Sequence, residues 1–133
     1  MVPEAFRGEI AQWVKQGDHE LIMAKKNFEI AGYDTTVLLC QQATEKFLKA
    51  FYIHNFLKRP PKTHHLDDLA DTLGLPETLK EKAQILSGDY TASRYPDILG
   101  MAPVDAYGEK EAADRLAKAG DIIDWCRSQL RDA

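Results

Sequence analysis

Cysteine is scarce in this chain: only Cys40 and Cys126 occur. Both fall on the apolar faces of helical patterns, which predicts buried free thiols rather than a disulfide or a metal site, and a reducing, cytoplasmic setting. Long hydrophobic runs are lacking as well. The longest near the centre is Val37 to Cys40, far short of the roughly 20 apolar residues that span a bilayer, so no membrane association is expected. Met1 to Trp13 mixes polar and charged side chains, and no signal peptide is expected there. There is no Cys-x-x-Cys pair, no glycine-rich phosphate loop and no nucleophile elbow. No charge dominates either: 17 basic against 21 acidic residues leave a formal net charge of −4. That balance argues against a nucleic-acid footprint spread over the surface, while leaving room for a local basic patch. Nothing reads as a strand, a repeat array or a low-complexity tail.

What is present is helical periodicity over a length, 133 residues, that suits one domain with a real core. Pro3 and Glu4 suit a helix start, because proline is tolerated in the first turn and an acid favours the positive dipole end. Ile10, Val14, Gly17, Leu21, Ala24, Phe28 and Ala31 then recur at alternating steps of four and three, the face of a long amphipathic helix. Gly17 on that face predicts close approach of a neighbouring helix. Ala31-Gly32 is read as the close of this helix, with glycine in the left-handed position, and Asp34 as the cap of the next. The short link makes these two helices antiparallel neighbours. The second runs to about Phe56 and ends before Lys58-Arg59-Pro60-Pro61-Lys62. Thr63 is read as the cap of a short helix through His64, His65, Leu66, Leu69 and Leu73, stopped by Gly74. Pro76 opens a further helix with a Leu79, Ala83, Leu86, Tyr90 stripe, which runs down near Ser93-Arg94-Tyr95-Pro96-Asp97. Ile98 to Tyr107 is read as a loop, and a last helix from Glu109 carries Ala112, Leu116, Ala119, Ile123, Cys126 and Leu130. The expected fold is all-α: a single domain over residues 1–133, an up-and-down four-helix bundle with one additional short helix. Trp13, Trp125 and Tyr107 fit either exposed contacts or the core.

The second helix organises the rest. At 100° per residue, Gln42, Glu45, Lys46 and Lys49 form one narrow polar stripe beside a broad apolar arc of Thr36, Leu39, Cys40, Ala43, Phe47, Ala50 and Phe51. Gln41, Leu48 and Tyr52 make a further row. A helix apolar over so wide an arc belongs in the middle of a bundle. Its polar seam then faces either solvent, with Glu45 and Lys49 an exposed i,i+4 pair, or a lined cleft where lysine and glutamine meet a phosphate and a base edge. Lys46, Lys49, Lys58, Arg59 and Lys62 make a locally basic stretch that suits a phosphate ligand or RNA, or else a solvated loop. Arg94, at a helix end beside Tyr95, suits helix carbonyls or an anion. The histidines do not form a metal set: His64 and His65 point about 100° apart on a helix, and His19 and His54 lack ligand-spaced partners.

Three segments together carry a resemblance. Gln41-Gln42-Ala43-Thr44-Glu45-Lys46-Phe47-Leu48-Lys49-Ala50, then Thr63-His64-His65-Leu66, then Ser93-Arg94-Tyr95-Pro96-Asp97, in that order and followed by a last amphipathic helix bearing Trp125, resemble the HEPN (higher eukaryotes and prokaryotes nucleotide-binding) domain family from about Arg7 to Leu130. The resemblance implies a four- or five-helix bundle, commonly a homodimer. It also implies a stand-alone prokaryotic protein, often encoded beside a minimal nucleotidyltransferase in toxin–antitoxin-like pairs. Many relatives are metal-independent ribonucleases in which an arginine and a histidine shortly beyond it, near the start of the last long helix, meet a second such pair across the dimer. There histidine moves a proton at the ribose 2′-hydroxyl and arginine stabilises the phosphorane charge.

This chain departs from that pattern, since no histidine follows Arg94, and Arg115 and Arg127 lack one too. The Arg59 and His64 or His65 match lies in a loop with Pro60 next to the arginine, and is read as chance. The expectation is therefore a non-catalytic HEPN protein, without metal or cofactor, that binds a nucleotide or a nucleotidyltransferase partner. Gln42, Glu45, Lys46, Lys49, His64, Arg94 and Tyr95 match the polar signature. The assigned roles are phosphate contact for Lys46, Lys49 and Arg94, base or ribose contact for Gln42 and His64, stacking for Tyr95, and orientation of the lysines by Glu45. The alternative is a divergent ribonuclease toxin acting on RNA, with Arg94 and His64 brought together in space.

Overall fold

A computed structural model describes residues 2–131. Four long helices, α1 (Glu4–Glu29), α2 (Tyr33–Phe56), α4 (Glu77–Ala92) and α6 (Glu109–Arg131), form the bundle. Two short ones, α3 (Leu66–Leu73) and α5 (Pro103–Ala106), complete it. Among the described residues there is no strand, and no helix is long and apolar enough to cross a membrane. The four-residue α5 lies inside the segment expected as a loop; Pro103 at its first position supplies a helical φ without needing an amide donor.

The helix α2 packs against every other helix. Its apolar arc explains this: Phe47 and Leu48 are fully buried and cluster with Leu66 and Leu69 of α3, Leu86 of α4, and Ile122 and Ile123 of α6 in the core. Trp125 stands edge-on to Phe51, with ring centroids 5.3 Å apart. A smaller apolar cluster of Val37, Ala92, Tyr107 and Ala112 seats the turn between α5 and α6. Cys40 and Cys126 are free and buried, and burial pushes each thiol up to about 12.

Several helix ends differ from expectation by a residue or more. At the end of α1 it is Ala31, with φ 62°, that turns left-handed, while Gly32 follows at φ −85° and caps α2. The closure itself is the expected one: Gly32 N–H donates to Asn27 O and Ala31 N–H to Phe28 O, which satisfies the last carbonyls. Glycine is wanted at 32 for space, because a Cβ there would lie 3.2 Å from Asn27 Oδ1. Asp34 sits within the first turn of α2 instead of capping it. Thr63 does not cap α3 either. The helix starts at Leu66 behind His65, and Leu66 N–H is met from α4 by Ser87 Oγ, which donates in turn to Asp67. Pro76 precedes α4 as its cap, and Gly74 ends α3 at φ 68° as expected.

Gly17 marks the close approach of α1 to α2. A Cβ there would lie 2.8 Å from two ring carbons of Phe47 and 3.1 Å from Lys46 Cβ. Gly17→Ala should therefore destabilise the protein by about 1–3 kcal/mol through overpacking. Gly120→Ala, in α6 with nothing within 4 Å of the added carbon, should stabilise it by about 0.5–1 kcal/mol. Urea unfolding of the two variants reads both signs. Neither thiol should react with an aromatic disulfide until denaturant is added.

Candidate functional site

Successive turns of α2 carry Gln41, Gln42, Glu45, Lys46 and Lys49. Glu45 and Lys49 are only 6% and 5% exposed, so they are not a solvated surface pair. A buried carboxylate has to have its oxygens met, and Glu45 does. Its Oε1 accepts from His64 Nδ1 at 2.9 Å and from Gln41 Nε2 at 3.2 Å. Its Oε2 accepts from Lys49 Nζ at 3.2 Å. Lys49 Nζ lies 5.7 Å from the centre of the Trp13 ring, a cation–π contact that suits an ammonium cut off from water. Burial opposes the charge on Glu45, but the hydrogen bond from His64, the charge and hydrogen bond of Lys49 and the Gln41 amide outweigh it, and the carboxyl is held below its ordinary value.

A second buried carboxylate, Glu20, enters from α1 and pairs with Lys46 Nζ at 3.2 Å. With its amide nitrogen toward the carboxylate and its oxygen toward the guanidinium, Gln42 donates to Glu20 Oε2 at 2.6 Å and accepts from Arg94 Nη2 at 2.9 Å. Arg94 Nη1 also donates to Tyr90 O at 2.6 Å. Its guanidinium carbon lies 4.0 Å from the Tyr90 ring centre, and the His64 ring stacks on the same phenol at 4.2 Å and 9°. Two planar groups so close to one ring centre must take opposite faces, so Tyr90 stands between His64 and Arg94. Three cations, Lys46, Lys49 and Arg94, face two carboxylates, Glu20 and Glu45, which leaves the cluster one positive charge in excess.

Six of the seven residues singled out in the sequence, Gln42, Glu45, Lys46, Lys49, His64 and Arg94, thus form one continuous network. Tyr95 is 50% exposed and makes none of these contacts; Tyr90 is the ring in the cluster. Lys49 is too buried to reach a ligand and serves to hold Glu45. The accessible groups are the His64 side chain, 51% exposed, with Lys46, Tyr90 and Arg94 half-buried. Lys58, Arg59 and Lys62 are exposed. Sequence reasoning missed Glu20, Gln41, Tyr90 and Trp13. For Tyr90 a signal existed: it stands four residues before Arg94, one helical turn, which permits contact between the two side chains. For Glu20 the hint was an acid three residues past the tightly packed Gly17.

A different buried acid, Asp89, sits apart from this network. It accepts from Tyr107 Oη at 2.9 Å and from Arg115 Nε at 2.7 Å, tying α4 to α6 and to the turn before it. Here burial prevails over Arg115 and Tyr107, and the carboxyl is raised. Among the described residues no three His, Cys, Asp or Glu side chains are grouped as metal ligands.

A family model described as HEPN domain matches residues 10–129. Two solved structures are similar. TT1696 from Thermus thermophilus shares 27% identity at a TM-score of 0.83, over 90% of this chain and 96% of that one. ST0689, an archaeal HEPN homologue, shares 27% at 0.79, over 91% and 97%. No curated protein matches.

The folded carboxyl of Glu45 lies below its ordinary value of 4.5. The stability that its charge brings is therefore complete above that value and is lost as pH falls through the lower folded one. Glu45→Gln should cost about 3 kcal/mol at neutral pH by leaving Lys49 without its counter-charge, and the gap to the wild type should narrow as pH falls below 4.5. Asp89→Asn should trend oppositely, because a raised carboxyl gains stability as pH falls from its folded value toward 3.8. Urea melts of both variants across this range would read the two slopes.

Proposed function

The chain belongs to the HEPN domain family, and from that premise we propose that it is a non-catalytic member that binds a nucleotide at the His64 face of the α2 cluster, in company with a minimal nucleotidyltransferase in a toxin–antitoxin-like pair. The observation that carries this reading is the state of His64. Its imidazole is half-exposed yet held on two sides, by Glu45 at Nδ1 and by the Tyr90 ring, which leaves Nε2 as its free polar atom. An aromatic polar group fixed in advance binds with less loss of side-chain freedom than a mobile one. Lys46 and Arg94, in the same network, bring the excess positive charge that a phosphate needs, and Gln42 links Arg94 to the carboxylate that Lys46 pairs with. Two features support the non-catalytic reading: no histidine follows Arg94, and the Tyr90 ring is in contact with both His64 and Arg94.

One observation favours ribonuclease activity as the second reading. The Glu45–His64 pair orients an imidazole through its Nδ1, the arrangement that readies Nε2 as a general base. In a homodimer the arginine of a second copy could complete the site with RNA as substrate.

A thermal-shift series with nucleoside mono-, di- and triphosphates tests the first reading. A ligand at about 100 Kd stabilises the folded state by roughly 2.7 kcal/mol. The expected result is a shift in the wild type that is lost in His64→Ala and Lys46→Ala, each compared with its own ligand-free midpoint. If no nucleotide shifts the protein, the nucleotide reading fails and co-purification with a nucleotidyltransferase encoded beside it becomes the test of the partner. Metal-independent RNA cleavage that disappears in His64→Ala would establish the second reading in place of the first.

A further inference from the structure

Where the start of α1, the C-terminal half of α2 and the end of α6 meet, the bundle holds a cavity of about 810 Å³ that shares no residue with the His64 cluster. It arises from the uneven cover of α1. Further along that helix Gly17 and Ala24 are buried against the bundle, but Ile10 and Val14, on the same stripe, are only half-buried. These two side chains, with Phe47 and Leu130, form apolar walls. The lining is also basic: Arg7, Arg127 and Arg131 all belong to it. Arg127 lies over the Phe47 ring at 4.6 Å and pairs with Asp18. Among the described residues neither Arg7 nor Arg131 has an ion-pair partner. With Arg127 paired to Asp18, Arg7 and Arg131 bring two positive charges without a described partner to this cavity, in a chain whose net charge is −4. His54 lines the same space, stacked on Phe51, and its buried Nδ1 has no hydrogen-bond partner.

We propose that this cavity binds a small organic anion with an apolar body, of the size and chemistry of a medium-chain acyl carboxylate. The volume lies within the range of about 300–1,000 Å³ typical of small-molecule sites. The apolar body would cover the half-buried walls, and the carboxylate would meet the arginines bidentately. A nucleotide suits the space less well, because the edges of its base would face the apolar side chains of Ile10, Val14, Phe47 and Leu130. A cationic amphiphile would meet the like charges of Arg7 and Arg131.

Calorimetric titration of the whole protein with decanoate tests this, with acetate (head without body) and decyltrimethylammonium (body with the opposite head) as companions. Saturable binding of decanoate alone is expected. Arg7→Glu and Arg131→Glu, both at exposed positions, should each weaken it about tenfold or more, with the unfolding midpoint unchanged. Val14→Trp, which fills the cavity, should abolish it, and His64→Ala should bind decanoate as the wild type does, which separates this site from the nucleotide face. Equal binding of decyltrimethylammonium would overturn the proposal, as would unchanged affinity in both arginine variants. So would the absence of decanoate binding, the result expected if a second copy or another segment of chain fills the cavity.

Discussion

A carboxylate inside a helix bundle has to be surrounded by donors, and Glu45 imposes that requirement on the middle of this fold. The helix that carries it supplies two of them, Gln41 one turn before and Lys49 one turn after. The third, His64, comes from the segment ahead of α3. The need to meet Glu45 therefore sets where that segment crosses α2. Once His64 is fixed there, its ring packs on Tyr90 of α4, and Tyr90 in turn carries Arg94 on its other face. Arg94 reaches Gln42, and Gln42 reaches Glu20 of α1. One buried charge is thus linked, contact by contact, to three helices and a connecting segment. In a medium where an unpaired charge is costly, each link supports the next.

The same close contact that brings Glu20 into reach also opens the bundle elsewhere. Gly17 lets α1 lie directly on Phe47 and Lys46, which places the next turn, with Glu20, against the polar seam. Toward its N-terminus α1 has no second contact of that kind, and Ile10 and Val14 remain half-covered around the cavity. Phe47 belongs to both regions: its ring touches the backbone surface at Gly17 on one side and Arg127 on another. The polar cluster and the arginine-lined cavity are two consequences of one uneven packing between α1 and α2.

Two buried acids show that burial alone does not decide the behaviour of a carboxyl. Glu45 has three side-chain donors on its two oxygens and is held ionised below its ordinary range. Asp89, with a guanidinium and a phenol, is nevertheless raised, because desolvation outweighs them and the nearby Asp114 charge adds to it. The difference matches their places. Asp89 fastens the turn before α6 to α4 inside the fold. Glu45 holds a half-exposed imidazole at the surface.

The chain by itself determined the helices and their faces. Alternating steps of four and three in α1, α4 and α6, and the broad apolar arc of α2, are local patterns, and hydrophobic burial acts on them wherever the helices meet. It also determined the close approach at Gly17 and, through three short motifs, the HEPN family and six of the seven residues that gather around α2. Tertiary structure alone decided which of those six face water. Helical spacing gives an angle around α2 but not what lies opposite, and only the packing of α1 and Trp13 over Lys49 turns a surface-like i,i+4 pair into a buried one. It decided likewise that Tyr90, not Tyr95, is the ring against His64 and Arg94, since Pro96 follows Tyr95 outside the helix while Tyr90 remains within it. Helix caps slipped for the same reason: the first amide of α3 is met by Ser87 from another helix, a partner 21 residues away that no local reading of Thr63 can supply.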